Sequence, residues 1–524
     1  MTPMVGCNGV KKFCMTEPKT VSYGRRISDL AAAHPDKVAI VFVSHPSGRE
    51  QALTWSELDR RSNQSARVLA DLGVATESTI VIGLPNGEHH IVAAIAAWKV
   101  GAMVLPLYPR MPESERSRIL KLANPTVIIA DWETDVGDLL RSAELDRAMI
   151  GMSDAPVPDV IAHPGKAVGS GGSTGLPKII VDPNPWVFTP GTNHLFALVG
   201  WTAGMVQLVA GPLYHSAPFF ITFSGLAEAQ TLVVMERFDA APAVDLIERH
   251  RVNCAFLAPT MMRRIAELAG IDGRDFSSIR SIYHTAAPCS PVLKQRWIDL
   301  IGPEQLYDAY GGAENVGIVT IRGDDWIVHR GSSGLPRNAD LKILDDEGNE
   351  LPCGEIGEIF LRRRDAEPPY YRYIGSENLK STPDGFSSLG DLGCVDAEGY
   401  LYLADRRVDM IVSGGENIYP AEIEGVLCEH AKVGDCAVIG LTDDEWGKRV
   451  HAVVEPVSSA DPPSNEDLDR HCRGQLAPYK VPKSFEVVDA LPRQPSGKIR
   501  RSALVEARCP TLRRGSRTAT GAVS

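Results

Sequence analysis

The strongest constraint on the fold is a repeated alternation of short apolar runs with longer helical stretches. Residues 38–43 form a strand-like run, and residues 57–72 carry leucine and alanine at helical spacing, with Ser56 in position for an N-cap. The alternation returns further along, with strand-like runs at 79–84, 102–106, 127–129, 206–209, 230–235 and 253–257 and helical stretches at 90–99, 113–122, 192–199, 219–227 and 240–250. Alternating strands and helices predict parallel sheets covered by helices.

Past residue 340 the pattern changes. Strand-like runs at 341–344, 355–361 and 400–403 are separated by Asp/Gly turns, which favours an antiparallel barrel or meander. A charged segment at 405–409 is typical of a linker. Beyond it the sequence predicts a small α/β unit, with helices at 420–429 and 466–476 and strands at 435–441, 449–456 and 483–488.

Composition narrows the class of protein. The chain has 524 residues, of which 44% are hydrophobic and 23% charged, enough for two or more domains with a large core. The net charge of −12 argues against non-specific nucleic-acid binding, so an anionic ligand would need a local basic pocket. The cysteines form no C-x-x-C pair, and no segment resembles a signal peptide or a spanning helix. We therefore expect a cytoplasmic protein with no nucleic-acid partner and no membrane span.

One loop concentrates the chemistry needed to hold a polyphosphate. Its sequence is Ser170-Gly171-Gly172-Ser173-Thr174-Gly175-Leu176-Pro177-Lys178. The glycines let several N–H groups converge, the hydroxyls add donors, and Lys178 adds positive charge. The Walker pattern does not fit, because Leu176 and Pro177 separate Gly175 from Lys178 and both flanks are strand-like. By itself the loop would also suit a solvated turn.

Three further segments are weak signals singly. Tyr310-Gly311-Gly312-Ala313-Glu314 combines an aromatic face with a carboxylate that suits Mg²⁺, but would also suit a surface turn. Gly390-Asp391 offers a carboxylate for ribose hydroxyls, although Gly-Asp is common in turns. Pro495-Ser496-Gly497-Lys498 places a lysine on a flexible tip, where surface lysines are frequent. The improbable feature is the order of these segments along one chain.

That order resembles the adenylate-forming superfamily of acyl-CoA synthetases, peptide-synthetase adenylation domains and luciferases. The resemblance covers roughly residues 20–505 and includes Arg406, Pro212-Leu213-Tyr214-His215 and the run Ser413-Gly414-Gly415-Glu416-Asn417-Ile418-Tyr419-Pro420. This run and Glu445-Trp446-Gly447 favour the acyl-CoA synthetase branch. Within it, the chain looks most like bacterial ligases for bulky acids such as bile acids or terpenoid acids.

The resemblance implies an α/β fold. Its large N-terminal domain would contain two parallel, helix-covered sheets and a small β-barrel-like subdomain, followed by a hinge and a small mobile α+β domain. The boundaries would be a flexible N-terminus at 1–20, the adenylate-forming domain at 21–404, the hinge at 405–409, the C-terminal domain at 410–508 and a disordered tail at 509–524.

The resemblance also implies a two-step reaction that uses ATP, Mg²⁺ and coenzyme A. A carboxylate attacks the α-phosphate to give acyl-AMP, and the C-terminal domain then rotates so that the CoA thiol can attack the acyl-AMP. Lys498 would stabilise charge on the carboxylate and the α-phosphate as the transition state forms.

The other residues receive their roles by motif match. Glu314 and His215 would complete the catalytic set with Lys498, and Glu314 and Thr174 would hold Mg²⁺. His215 would equally suit a buried core histidine. The residues implied to bind ATP or AMP are Ser170, Gly171, Gly172, Ser173, Thr174, Gly175, Lys178, Ala286, Ala287, Tyr310, Gly311, Asp391 and Arg406. Those implied to line the CoA tunnel are Ser413, Gly414, Gly415 and Glu416, and those of the acyl pocket are His215, Phe219, Phe220 and Gly312.

Two positions depart from the family pattern. Ala313 stands where a Thr or Ser hydroxyl usually bonds the α-phosphate, and losing such a bond can cost about 1.5–3 kcal/mol. Val408 stands at the usual hinge position, where a β-branched residue narrows the accessible φ/ψ range.

The sequence supports an acyl-CoA synthetase for a bulky hydrophobic carboxylic acid. One alternative, motivated by Ala313, is an enzyme that mainly thioesterifies an acyl-AMP made by a separate adenylating enzyme. Another is an enzyme that loads an aryl or aminoacyl group onto a carrier protein. A non-catalytic nucleotide sensor fits worst, because it would have no use for Lys498. A homodimer is a further expectation.

Overall fold

The computed structural model of the chain describes residues 19–171, 177–287, 289–406, 409–413, 416–443, 446–493 and 499–508, with the backbone alone at 170, 171, 177, 405 and 406. The predicted tail at 509–524 and most of the predicted N-terminal segment lie outside these ranges. Among the helices described, none is long and apolar enough to cross a bilayer.

The strands occur along the whole described chain. In order they are β1 Val21–Ser22, β2 Val38–Val43, β3 Glu50–Thr54, β4 Thr79–Gly83, β5 Met103–Pro106, β6 Val127–Ala130, β7 Asp138–Leu140, β8 Lys166–Gly171, β9 Pro177–Asp182, β10 Val187–Phe188, β11 Val206–Val209, β12 Thr231–Met235, β13 Cys254–Phe256, β14 Ser281–His284, β15 Leu306–Gly311, β16 Ile318–Arg322, β17 Leu335–Pro336, β18 Ala339–Leu344, β19 Gly357–Arg363, β20 Arg372–Ile374, β21 Ser387–Val395, β22 Leu401–Arg406, β23 Ile411–Ser413, β24 Glu416–Ile418, β25 Val433–Asp443, β26 Gly447–Pro456 and β27 Ser484–Val487.

The α-helices connect these strands or cover their sheets. They are α1 Tyr23–Ala33, α2 Trp55–Asp71, α3 Glu88–Lys99, α4 Glu113–Ala123, α5 Ser142–Met149, α6 His194–Leu198, α7 Ser216–Ala227, α8 Ala240–Arg249, α9 Pro259–Ala266, α10 Pro291–Ile301, α11 Gly323–Val328, α12 Pro420–Cys428, α13 Asn465–Arg473 and α14 Arg501–Arg508.

Two large sheets dominate, as predicted. One has the strand order β20-β9-β8-β5-β4-β6-β7, and the other has the order β17-β16-β15-β14-β13-β11-β12-β2-β3. Their central strands pair in parallel, but β8–β9 and β9–β20 pair antiparallel, as do β2–β3, β15–β16 and β16–β17. The sheets are therefore parallel at the centre and mixed at their edges.

A layer of helices lies between the two large sheets. One buried cluster joins Ile80 and Ile82 of the first sheet to Ile40 and Phe42 of the second through side chains of α1, α2, α3 and α7. Helix α3 is buried on nearly every side, and its alanines allow its neighbours a close approach. The alternation of strands and helices along the sequence follows from this layering.

The remaining strands form smaller sheets. Strands β18, β19, β21 and β22 make the expected antiparallel sheet, in the order β18-β19-β21-β22. Near the C-terminus, β25, β26 and β27 form one sheet with its own apolar core. The mixed α/β architecture is thus confirmed, while the boundaries assigned to the domains and the hinge stay predictions.

The start of α2 differs from the sequence prediction. Thr54, not Ser56, is the N-cap, because its side chain accepts from the Glu57 N–H while the Glu57 carboxylate accepts from the Thr54 N–H. This reciprocal capping box satisfies two backbone donors, which a serine inside the first turn cannot do. The prediction for Ser56 was wrong by two residues.

A buried ion pair ties α2 to α3. The Lys99 ammonium donates to Asp59 Oδ1 and to Asn63 Oδ1, both at 2.6 Å, and its side chain is 1% exposed. Burial lowers the pKa of Lys99, whereas the adjacent Asp59 carboxylate opposes that shift. The lysine can stay charged between the sheets only because these acceptors are in place.

We expect Asp59→Ala to destabilise the protein by about 3 kcal/mol or more, because it leaves a buried ammonium without its counter-ion. Asp29→Ala is the matched control, since it breaks an exposed pair with Arg25 and should cost less than about 1 kcal/mol. Urea unfolding followed by circular dichroism measures both. Equal losses in the two variants would contradict the role given to the buried pair.

Candidate active site

A large cavity lies at the carboxyl ends of the parallel strands of the second sheet. Its volume is about 1870 Å³, and it is lined by residues of the segments that follow β11, β13, β14 and β15, among them His215, Ala258, Thr285 and Glu314. Parallel sheets bind their ligands at this edge, where strand ends and loops converge. The volume exceeds that of an ordinary single-ligand pocket, so two ligands could occupy it together.

A tyrosine links two predicted site residues. The Lys178 ammonium donates to the Tyr373 hydroxyl at 2.8 Å and lies 3.5 Å from Glu314 Oε1. The Tyr373 hydroxyl donates to the same Glu314 oxygen at 2.6 Å. Burial and the hydrogen bond to Glu314 raise the pKa of Tyr373, so this phenol stays protonated as a donor.

The Glu314 carboxylate suits a cation held together with phosphates. Glu314 is only 8% exposed, yet it lines the cavity. Among the described residues, none hydrogen-bonds its Oε2, and no cluster of three His, Cys, Asp or Glu side chains stands ready to hold a metal. Glu314 could therefore offer Mg²⁺ a carboxylate oxygen, and the other ligands would be phosphate oxygens and water, as Mg²⁺ prefers.

Two glycines pack closely against their neighbours beside this carboxylate. A Cβ on Gly312 would lie 2.7 Å from Glu314 Oε2 and 2.9 Å from Leu389 Cδ2, and one on Gly311 would lie 3.0 Å from the Gly317 carbonyl oxygen. The Gly-Gly pair therefore lets the chain turn closely after β15 and brings Glu314 back over the cavity.

The residues expected to bind the nucleoside also lie together. The Tyr310 hydroxyl donates to Asp391 Oδ2 at 2.8 Å, and both residues line the cavity. The backbone of Asp391 on β21 pairs across the strands with that of Arg406 on β22, the other residue expected to bind the ribose. An aromatic ring thus lies beside a carboxylate at one end of the cavity.

The residues expected in the acyl pocket fall into two groups. His215 and Phe220 line the cavity, but Phe219 is fully buried beside Trp98 and Phe223 and does not. Since α7 begins at Ser216, successive side chains point in different directions, and only Phe220 of the two phenylalanines faces the cavity. Phe219 therefore supports the wall from behind.

The two alanines predicted to bind ATP or AMP, Ala286 and Ala287, differ in their position relative to the cavity. Ala286 lines the cavity, whereas Ala287 does not. Ala286 has φ of +80°, a left-handed conformation that costs an L-residue free energy and is often found at functional sites.

The C-terminal part of the chain closes one side of the cavity. Ile499, Arg500, Ser502 and Ala503 line it, whereas Ser413 and Glu416, expected at the CoA tunnel, pair with each other in β23–β24 and do not. Lys498 lies outside the described residues, but it directly precedes Ile499. The other predicted residues outside the described ranges are Gly172, Ser173, Thr174, Gly175, Gly414, Gly415 and, in the predicted hinge, Val408.

A second contact docks this C-terminal part onto the sheets. Arg263, on α9, donates to the Gly434 carbonyl oxygen at 2.6 Å and lies 3.2 Å from Asp435 Oδ2. Asp435 also accepts from Arg493 at 2.7 Å. These charged groups fix the arrangement in which Ile499 meets the cavity.

The sequence matches two family models. Residues 27–371 match the AMP-binding enzyme family, and residues 422–498 match the AMP-binding enzyme C-terminal domain. The chain belongs to the AMP-binding enzyme family. The predicted superfamily is thereby confirmed.

This AMP-binding enzyme is similar over most of its length to curated proteins. It is 32% identical over 466 residues to a feruloyl-CoA synthase of an Amycolatopsis species, covering 86% of this chain and 92% of the relative. It is 29% identical over 478 residues to a fatty acid–[acyl-carrier-protein] ligase of Streptomyces coeruleorubidus, covering 87% and 91%. A solved o-succinylbenzoate CoA synthetase of Bacillus subtilis, in complex with its acyl-adenylate intermediate, superposes with a TM-score of 0.78 at 27% identity, covering 93% and 98% of the two chains.

Sequence reasoning missed Tyr373. It lies on β20, far along the chain from Lys178, and reaches the site only because β20 pairs with β9, with Tyr373 opposite Ile180. No local motif marks this position, so only the strand pairing could have revealed it.

We expect Tyr373→Phe to lower kcat/KM for MgATP about 10- to 100-fold, because it removes hydrogen bonds to two charged groups worth about 1.5–3 kcal/mol. The readout is ATP–pyrophosphate exchange across a Mg²⁺ titration, in which the apparent Mg²⁺ affinity should also fall. Tyr371→Phe is the control, because that hydroxyl accepts from the Leu379 N–H and belongs to the loop instead. Losses of the same size in both variants would remove Tyr373 from the site.

Proposed function

We propose that this AMP-binding enzyme activates a bulky hydrophobic carboxylic acid as acyl-AMP and transfers the acyl group to coenzyme A. The enzyme class, an AMP-forming acid–thiol ligase, and its substrates ATP and CoA with Mg²⁺ are confirmed at the level of the family and its relatives. The acid is our proposal. The observation that carries it is one cavity that joins Lys178, Glu314, Tyr310 and Asp391 to a wide apolar region.

The polar end of the cavity suits a nucleoside triphosphate. In the proposed complex the Tyr310 ring stacks on adenine and Asp391 accepts from the ribose hydroxyls. Lys178 and the Ser170–Gly175 loop bind the phosphates, and Glu314 holds Mg²⁺. Because Tyr373 bridges Lys178 and Glu314, the charges of this end are set in place before ATP arrives, which favours electrostatic stabilisation of the transition state.

The apolar end of the cavity suits a wide acid. Trp186, Phe188, Phe220 and Ile221 line it, while the glycines and Ala286 at the junction leave room near the reacting carbon. Two relatives are named for acids that contain an aromatic ring, ferulate and 2-succinylbenzoate, and this supports a ring-bearing acid for the present cavity. A volume of about 1870 Å³ leaves space for an acid larger than a simple aryl ring beside the nucleotide.

The arrangement of the C-terminal part supports the first step. Ile499 and Arg500, which directly follow Lys498 in the sequence, line the cavity, and this supports the role proposed for Lys498 at the α-phosphate and the substrate carboxylate. The Arg501 guanidinium, bonded to Asp409 at 2.9 Å and to Glu424 at 2.8 Å, anchors the start of α14, which lies three residues after Lys498 in the sequence. The CoA tunnel of Ser413 and Glu416 would form only after the proposed rotation. The cytoplasmic location, a homodimer and a separate adenylating partner stay predictions.

We expect Lys498→Ala to lower ATP–pyrophosphate exchange about 100-fold or more, because it removes a charge that stabilises the transition state. The assay runs a panel of steroid, terpenoid, aryl and fatty acids with the wild type first, to find the acid. Lys432→Ala, which breaks an exposed pair with Asp461 in the same C-terminal part, is the matched control and should keep its exchange rate. Full exchange in Lys498→Ala would rule out the role assigned to this lysine.

Ala313 favours a second candidate function, a ligase weak in adenylation. The residue lines the cavity beside Glu314 and offers no hydroxyl to the α-phosphate.

We expect Ala313→Ser to raise the exchange rate about 10- to 100-fold and to leave thioester formation from synthetic acyl-AMP unchanged. An unchanged exchange rate in Ala313→Ser would show that the missing hydroxyl does not limit the first step. The similarity to an acyl-carrier-protein ligase makes a holo-carrier protein the comparison acceptor for CoA in this assay.

A further inference from the structure

The β8–β9 hairpin forms one continuous wall of the cavity. Its register pairs Ser170 with Lys178, and every second residue along each strand shares a face. The described side chains on that face all line the cavity, and they are Lys166, Val168, Lys178, Ile180 and Asp182. The wall therefore has a charged end at Lys178, an apolar middle and a second charged end at Lys166 and Asp182.

The two charged ends of this wall are separated by a distance that one extended substrate molecule can span. Lys166 precedes Ser170 by four residues, and strands rise by about 3.3 Å per residue, so the ends are roughly 13 Å apart. Lys178 marks the end where the acid would be activated. An acid that reacts beside Lys178 and lies along Val168 and Ile180 would bring its far end to Lys166.

Lys166 is buried without the contacts that usually accompany a buried lysine. The residue is 7% exposed, and its ammonium lies 4.0 Å from Asp182 Oδ2 and 5.3 Å above the Phe220 ring. Among the described residues, none accepts a hydrogen bond from it. Burial lowers the pKa of Lys166, and only the Asp182 carboxylate opposes that shift. The Asp182 carboxylate is itself fixed, because Oδ1 accepts from the Asn184 N–H and side-chain amide.

Stabilisation of the fold does not explain why Lys166 and Asp182 are placed together. Removing an ammonium from water costs several kcal/mol, and a partner at 4.0 Å without a hydrogen bond repays little of that cost. The Lys99 ammonium, with two acceptors at 2.6 Å, shows how the same chain satisfies a lysine that serves the fold. The Lys166 side chain instead belongs to the wall of the cavity, where a ligand can reach its ammonium.

We propose that Lys166 and Asp182 form a polar subsite that binds a hydroxyl group at the far end of an otherwise apolar acid. A hydroxyl oxygen can accept from Lys166 and its proton can be donated to Asp182, so one group satisfies both partners. A second carboxylate fits less well, because the Asp182 charge repels it. The proposal deepens the function proposed above and rests on the acid occupying this cavity.

The test compares matched acids on the wild-type protein. Isothermal titration calorimetry measures the Kd of ω-hydroxy fatty acids and of the unsubstituted acids of equal length, over a series of chain lengths. We expect the hydroxy acid to bind about 10-fold more tightly or better at the length that spans the wall, because a hydrogen bond to a charged group gains about 1.5–3 kcal/mol. Shorter hydroxy acids should lose this preference.

Two double variants assign the effect to the subsite. Lys166→Met with Asp182→Asn removes both charges at nearly constant volume and should abolish the preference at every length. Lys342→Met with Asp384→Asn is the matched control, because Lys342 also pairs with an aspartate at 2.8 Å and lies 4.5 Å above a phenylalanine ring, but outside the cavity lining. It should retain the wild-type preference.

The outcomes separate the subsite from the proposed reaction. Wild-type protein that binds both acids equally at every length overturns the subsite, whether or not it adenylates them. A preference that survives in the Lys166/Asp182 variant also overturns it. A length-dependent preference that is lost in this variant establishes the subsite even if no acid is adenylated, in which case the proposed ligase reaction fails alone.

Discussion

The antiparallel pairing of β8 with β9 is the interaction on which the site depends. It places Lys178 opposite Ser170 and so fixes the position of Lys178 on the wall of the cavity. The same strand, β9, pairs on its other edge with β20 and thereby delivers Tyr373 to Lys178. A shift of one residue in this register would turn Lys178 away from the cavity and bury it, because side chains alternate between the faces of a sheet.

The sequence predicted the layered part of the fold well, because buried parallel strands are short and strongly apolar. Strands β2 and β11 have the predicted ends, and α3 and α8 differ from prediction by at most two residues. Thr54 was missed as an N-cap although the sequence Thr54-Trp55-Ser56-Glu57 has the T-x-x-E spacing of a capping box, so this signal was available and Ser56 was chosen in its place. Tyr310 and Glu314, which are close in sequence, were predicted to lie together and both line the cavity, whereas the contact of Tyr373 with Lys178 depends on strand pairing and was missed.

Charge is used in two distinct ways inside this protein. Lys99 is enclosed between helices with its acceptors in place, so its burial holds the fold together. Lys166 and Lys178 lie at opposite ends of a cavity wall, where their donors can meet a ligand. Lys99 and Lys166 are both almost inaccessible to solvent, so burial does not distinguish them. They differ in the hydrogen-bond acceptors around each ammonium.

The Arg263 contact with Gly434 and Asp435 has a kinetic meaning as well as a structural one. It joins the sheet-bearing part of the chain to the part that carries Ile499 to the cavity, so the second step of the proposed reaction requires this contact to break. The strength of this contact would then determine how long the C-terminal part stays in its present arrangement before the second step. A tight contact would hold acyl-AMP away from water until release, whereas a loose one would speed turnover at the expense of losing the intermediate by hydrolysis.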